Sequence, residues 1–222
     1  MDYKNKVSMV ITGSIGLAPI LRQIGLSATI NQLKPFELKP WEEQIAVGCL
    51  EALANNYGII FKEGVCELMI KKLGCNIPHH VQLYFDSIYE YCIMLNSMHC
   101  SKEIAKKVYK ESMLSTKGHA ELNHYEERIK MVLGKELFPF TLDILTETAV
   151  TGYLSKEAMD FYCNEIESGK DEVLRKVLSL LEHDGYLKHE KKGYVFISKL
   201  LQDWWKGSFG TYFIPAAKRR IK

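Results

Sequence analysis

Gly185-Tyr186-Leu187, the polar run His189-Glu190-Lys191-Lys192-Gly193 and then Tyr194-Val195-Phe196-Ile197-Ser198 form the stretch whose reading decides the fold. Two β-favouring runs around a short polar, glycine-bearing connection predict an antiparallel hairpin with a Lys-Gly turn. Upstream, the pattern is helical. Residues 140–150 form one predicted helix, and Ser155 caps a second over 156–166. A third spans 171–183, with acids in its first turn and Val173, Leu174, Val177, Leu178 and Leu181 on one face. Downstream, a closing helix over 199–206 carries Leu200, Leu201, Trp204 and Trp205. The two tryptophans could stack on a ligand, but beside two leucines they read as a wide core face.

Three short helices followed by a hairpin is the winged-helix order, a relative of the helix-turn-helix. The chain before it has a different grammar. Pro40-Trp41-Glu42-Glu43 starts a helix that runs to Asn55-Asn56-Tyr57-Gly58. A second helix over 63–73 ends at Gly74, and Ile77-Pro78 opens a longer third reaching about residue 99. Ser101 caps a fourth to about 114, and a fifth covers 118–133. Short loops between helices predict an all-helical, bundle-like block.

At the other end lies a strand without a sheet. Val7-Ser8-Met9-Val10-Ile11-Thr12 runs into Gly13-Ser14-Ile15-Gly16-Leu17, which reads as a buried strand feeding a tight turn. A single strand cannot satisfy the backbone groups on its two edges. The expected class is therefore mainly α, with a remnant strand of an α/β core. The expected division is a remnant over 1–40, a helical block over 41–134 and a winged helix over 135–222. The last ends in the basic tail Lys218-Arg219-Arg220-Ile221-Lys222.

Composition bounds the function. Among 222 residues, 29 basic against 27 acidic side chains give a net charge of +2, and 47% are hydrophobic. Neither figure is an electrostatic footprint for nucleic acid or membrane. Cys49, Cys66, Cys75, Cys92, Cys100 and Cys163 contain no CxxC pair, and most lie in apolar helical stretches. Buried reduced thiols and a cytoplasmic location are expected, with neither a signal peptide nor a membrane span.

The order of segments carries a resemblance. The strand with Gly13-Ser14-Ile15-Gly16-Leu17 is followed by Asn31-x-Leu33 and by Phe36-x-Leu38-x-Pro40. Next comes Gly74-x-x-Ile77-Pro78-x-x-x-Gln82, and last Phe196-x-Ser198-x-Leu200-Leu201-x-x-Trp204-Trp205. Together these resemble the C-terminal half of a P-loop ATPase of the STAND and archaeal-ATPase-like group, relatives of AAA+ proteins. The resemblance implies that Thr12 or Ser14 occupies the sensor-1 position near the γ-phosphate. It implies too that Gly74 and Pro78 touch the adenine or ribose. Each pair also has a local reading: hydroxyls capping a turn, and a helix C-cap followed by a helix-starting proline.

The hydrolytic half of such an enzyme is missing. Its phosphate cradle needs GxxxxGK[ST], whereas the Gly-Lys pairs here continue as Gly134-Lys135-Glu136 and Gly169-Lys170-Asp171. No apolar strand ends in paired acids to hold Mg²⁺. The chain alone is thus expected to bind no cofactor and hydrolyse nothing, with ATP and Mg²⁺ belonging to the intact parent. The implied partner is a P-loop-bearing N-terminal half, or a second copy joined through the exposed strand.

Other chemistry is thinner. His79 and His80 are adjacent, and His119 and His124 miss the i, i+4 spacing of a helical metal pair, so the histidines read as solvated or capping. The alternative function is DNA binding: Arg175, Lys176, Ser179 and His183 on the third helix, with Lys191 and Lys192 on the wing. Asp171 and Glu172 stand against it where base contacts usually form. Residues 135–222 carry 14 Lys or Arg against 13 Asp or Glu, a weak basic face for a specific DNA reader.

Overall fold

The computed structural model describes residues 10, 25, 26, 28, 34, 36, 38–165 and 170–219. Apart from Val10, the predicted strand over 7–12 lies outside the described residues, as do its glycine turn with Thr12 and Ser14, and Arg220, Ile221 and Lys222. The chain divides into two compact units, Met1–Phe36 and Glu37–Lys222. The helices and strands that follow belong to the second, which is mainly α.

Helix α1 (Glu43–Tyr57) buries Ala46, Leu50 and Ala54 and ends on Gly58 in the left-handed conformation. Strand β1 (Ile60–Phe61) leads to α2 (Val65–Leu73), which Gly74 caps. Helix α3 (Pro78–Met94) takes proline at its first position and buries His80, Val81, Tyr84, Phe85, Ile88 and Cys92. It stops short of the expected end near 99. Asn96 turns the chain with a φ of 51°, and the next residues form β2 (His99–Cys100). β1 and β2 pair in parallel, Ile60 opposite His99 and Phe61 opposite Cys100. The block is therefore not wholly helical, because a two-residue ladder is too short to leave a period of two in the sequence.

Helix α4 (Lys102–Val108), capped by Ser101 Oγ accepting from the Ile104 N–H, passes into a π-helical turn over Tyr109–Met113. A uniform helix to 114 was the expectation. The wider turn places Tyr109, whose hydroxyl donates to Asp203 at 3.0 Å. Helix α5 (Thr116–Thr151) is two helices broken at Gly134, whose φ of 70° and ψ of 179° suit glycine alone.

Helices α6 (Lys156–Glu165) and α7 (Lys170–His183) precede the hairpin of β3 (Leu187–Glu190) and β4 (Gly193–Phe196). Leu187 faces Phe196 and Glu190 faces Gly193, so the turn is Lys191-Lys192 rather than the expected Lys-Gly. Gly193 belongs to the strand through its pairing with Glu190, and it is glycine because its φ is 131° and a side chain there would overlap the Leu154 carbonyl. Leu154 itself bridges Tyr194: its N–H donates to the Tyr194 carbonyl at 2.7 Å and its carbonyl accepts at 3.2 Å. β4 is thus the centre of a three-stranded ribbon whose third member is a single residue.

Helix α8 (Lys199–Phe209) closes the unit, with Trp204 and Trp205 buried as core, and a 3₁₀ turn follows at Ala216–Lys218. The Trp205 indole donates to Thr146 Oγ1 at 3.2 Å. Four of the six cysteines are buried, and none of the six is in a disulfide. Burial pushes Cys66 and Cys100 up to about 12. Among the described residues no helix is long and apolar enough to cross a membrane.

Candidate functional site

Two regions collect the residues singled out from sequence: the wing face, and the joint that ties α8 to the helical block. On α7, Leu174, Val177, Leu178 and Leu181 are buried, so the opposite face must be solvated. Arg175, Lys176 and Ser179 are exposed on it. Asp171 and Glu172 are exposed on its first turn. The tip of the wing presents Lys191 and Lys192, both exposed. Among the described residues no salt bridge includes any of these four cations.

The structure does not gather all five sequence-predicted residues into one cleft. Lys191 and Lys192 line an open depression of about 800 Å³ with Gly152, Tyr153, His189, Glu190 and Val195. Arg175, Lys176 and Ser179 do not line it. The depression's shape is pinned by the Leu154 bridge on one side. On the other, the His189 N–H donates to Glu182 Oε1 of α7 at 3.2 Å. Glu190, the one acid there, is matched by Lys188 at 2.7 Å. Tyr153, 40% exposed, was missed in the sequence; it follows a glycine just beyond a helix end, where loops present ligand-facing residues.

At the joint, Gly74 has a φ of 69°, and a Cβ on it would lie 2.6 Å from Lys199 Cβ and 2.8 Å from the Lys199 nitrogen. Ser198 Oγ donates to the Leu73 carbonyl at 3.4 Å while accepting from the Leu201 N–H, so one hydroxyl holds both the cap of α8 and the end of α2. Pro78 is exposed at the start of α3. Between them, the Asn76 carbonyl accepts from the Trp41 N–H at 3.0 Å and its Nδ2 donates to the Trp41 carbonyl at 3.2 Å. Asn76 Oδ1 is buried with no hydrogen-bond partner among the described residues.

His80 corrects the expectation of a solvated or capping histidine. It is 2% exposed, and its Nδ1 is buried without a partner among the described residues. Burial first, and then His79 and His124, lower its pKa to about 4. Its place four residues before Tyr84 and eight before Ile88 is the signal that could have found it. Behind it, the Tyr186 hydroxyl donates to the Tyr125 carbonyl at 2.8 Å, and Arg128 pairs with Asp184 at 3.2 Å. Among the described residues no cluster of His, Cys, Asp and Glu could hold a metal ion.

A third constellation had no sequence signal. Glu147, 3% exposed inside α5, accepts from the Ala216 N–H at 2.8 Å and from the Tyr162 hydroxyl at 3.3 Å. Burial holds the Tyr162 phenol well above its usual range, against the opposing effect of Arg219. The Arg219 guanidinium lies over the rings of Phe161, Tyr162 and Phe213 and 3.6 Å from Asp143. These contacts strap the segment after α8 to α5 and α6.

No protein-family model matches the chain, and no curated protein matches it. Two point-mutant structures of Thermotoga maritima RuvB are similar. One is 12% identical over 72% of this chain and 47% of that one, with a TM-score of 0.37. The other is 11% identical over the same shares, with a TM-score of 0.38. The chain spans about half the length of these structures. Scores this low assign neither family nor activity, and the reading of the chain rests on its own geometry.

Proposed function

We propose that the chain is the regulatory half of a P-loop ATPase switch. Residues 41–134 act as its helical lid and 135–222 as its winged helix, and a separate P-loop core performs hydrolysis. The observation that supports this is the seat of Gly74 on Lys199. The loop that resembles a nucleotide-contacting motif is also the loop on which α8 rests. A displacement of that loop by bound nucleotide therefore reaches the wing unit directly. A switch requires such differential contact in its two states.

ATP with Mg²⁺ is the cofactor of such a switch, and the residues present fit only its base end. Asn76 Oδ1, between Gly74 and Pro78, is an orphaned acceptor suited to an amino group. Neither Gly-Lys pair continues into the Ser or Thr of a phosphate cradle. Thr12 and Ser14 would complete the phosphate end only with the partner core.

The test is affinity capture of the tagged chain from its native lysate, with ADP or a non-hydrolysable ATP analogue. Recovery of a protein bearing GxxxxGK[ST], in an amount that depends on the nucleotide, is the expected result. Failure to recover one under either condition refutes the proposal.

A second reading is a winged-helix regulator that holds duplex DNA through Arg175, Lys176, Ser179, Lys191 and Lys192. Its support is that these cations are exposed and lack acidic partners among the described residues. Duplex binding with a steep salt dependence, lost on neutralising Arg175 and Lys176, separates it from the first.

A further inference from the structure

The wing depression and the α7 face are different kinds of surface, and only the depression joins cations to an exposed aromatic side chain. The first turn of α7, where a recognition helix meets base edges in the major groove, carries exposed Asp171 and Glu172. Phosphates flanking a groove would be repelled there. The depression beside the wing has the opposite character. Lys191 and Lys192, exposed and without an acidic partner among the described residues, line it together with Tyr153, whose side chain is also exposed. Its acid, Glu190, is already matched by Lys188.

We propose that this depression is a site for single-stranded nucleic acid, with a base stacked on Tyr153 and the adjoining phosphates on Lys191 and Lys192. The inference does not depend on the ATPase reading, and it differs from duplex binding in its partner and in using Tyr153 in place of Arg175, Lys176 and Ser179, while sharing Lys191 and Lys192. Single-strand sites combine cations that follow the backbone with an aromatic face that accepts any base. A duplex keeps its bases stacked on one another, leaving Tyr153 nothing to receive. The volume of about 800 Å³ lies within the range of ligand pockets, about 300–1,000 Å³.

Pre-organisation supports the site. The Gly152–Leu154 turn is bonded to β4 through Leu154 and Tyr194, and β3, one pair from the tip of the wing, is bonded to α7 through His189 and Glu182. Stacking face and cations are therefore carried by one ribbon and keep their spacing without a partner. The T-shaped contact of His189 with Tyr194, 4.9 Å between centroids, stiffens the wing from within.

The test is fluorescence anisotropy of the purified full chain with a labelled 12-nucleotide thymidine strand and a 12-base-pair mixed duplex, at 50 and 200 mM NaCl. The single strand should bind more tightly than the duplex. Tyr153→Ala should weaken single-strand binding by about 5- to 150-fold, the range of one lost base stack, and Tyr153→Phe should restore it. Lys191→Ala with Lys192→Ala should reduce the slope of log affinity against log salt by about 1.4, the equivalent of two single-strand phosphates. Asp171→Asn with Glu172→Gln should leave single-strand binding unchanged. All these positions are exposed, and a thermal melt of each variant establishes that it is folded. Three outcomes overturn the proposal: no binding at 50 mM NaCl, tighter binding of the duplex, or loss with the lysines but not with Tyr153→Ala. Equal competition by heparin overturns it as well, by reducing the site to a general polyanion patch.

Discussion

Replacing Gly74 by alanine tests the joint on which the switch reading stands. Two costs are expected. With a φ of 69°, any L side chain at this position adopts the left-handed conformation, at about 1–2 kcal/mol. The new methyl would also lie 2.6 Å from Lys199 Cβ and 2.8 Å from the Lys199 nitrogen. Because the second atom is backbone at the capped start of α8, relief requires α2 and α8 to separate. Overpacking of this kind costs about 1–3 kcal/mol. The sum, about 2–5 kcal/mol, is a large part of a typical domain stability of about 5–15 kcal/mol.

Gly58 supplies the internal control. It caps α1 with the same φ of 69°, but a Cβ there meets nothing within 4 Å. Gly58→Ala should show the conformational cost alone. The assay is urea unfolding followed by circular dichroism on both variants, with equal m-values licensing the comparison. Gly74→Ala should be less stable than Gly58→Ala by about 1–3 kcal/mol. If the two agree to within about 0.5 kcal/mol, the close seat of Gly74 on Lys199 does not exist in solution, and the proposed coupling fails with it.

Three further outcomes are expected. His80 takes up its proton near pH 4 in the folded chain and near 6.5 when unfolded, so the unfolded state binds more protons between those values. Stability should therefore fall as the pH is lowered from about 6.5 to about 4, by up to about 3 kcal/mol, and His80→Leu should flatten this part of the urea–pH profile. Glu147→Ala leaves the Ala216 N–H and the Tyr162 hydroxyl without their acceptor. It should cost about 1–3 kcal/mol, and hydrogen exchange at Ala216 should accelerate more than in the core of α5. Thiol titration of the native chain with a disulfide reagent should modify the half-buried Cys49 and Cys163 first. Cys66 and Cys100, pushed up to about 12 by burial, should react only on unfolding.

Much of the local architecture was legible because it is written within a few residues. The apolar face of α7, the serine caps at Ser101 and Ser155, the proline at the head of α3 and the hairpin all follow from spacing and backbone preference. The register of the hairpin was missed by one residue. A glycine after two lysines reads as a turn residue, whereas its pairing with Glu190 puts it in the strand and the close Leu154 carbonyl explains why it is glycine. The π turn at Tyr109 was invisible for a similar reason: it serves a hydrogen bond to Asp203, 94 residues away.

The candidate site divides in the same way. Lys191 and Lys192 could be found as exposed charge beside β-favouring residues, and Gly74 with Pro78 as a helix end and a helix start. Their neighbours could not. Tyr153 joins the wing only through the Leu154 bridge, His80 becomes a neutral buried group only under α5, and Glu147 becomes an acceptor only when the segment after α8 returns to it.

What the sequence by itself determined is where helices and strands begin and end and which faces are apolar, since backbone torsion and side-chain periodicity act over one or two turns. What the tertiary structure alone decided is which of those surfaces meet. Ser198 donates to the Leu73 carbonyl across 125 residues. A pairing at that separation depends on the packing of every element between and leaves no local trace.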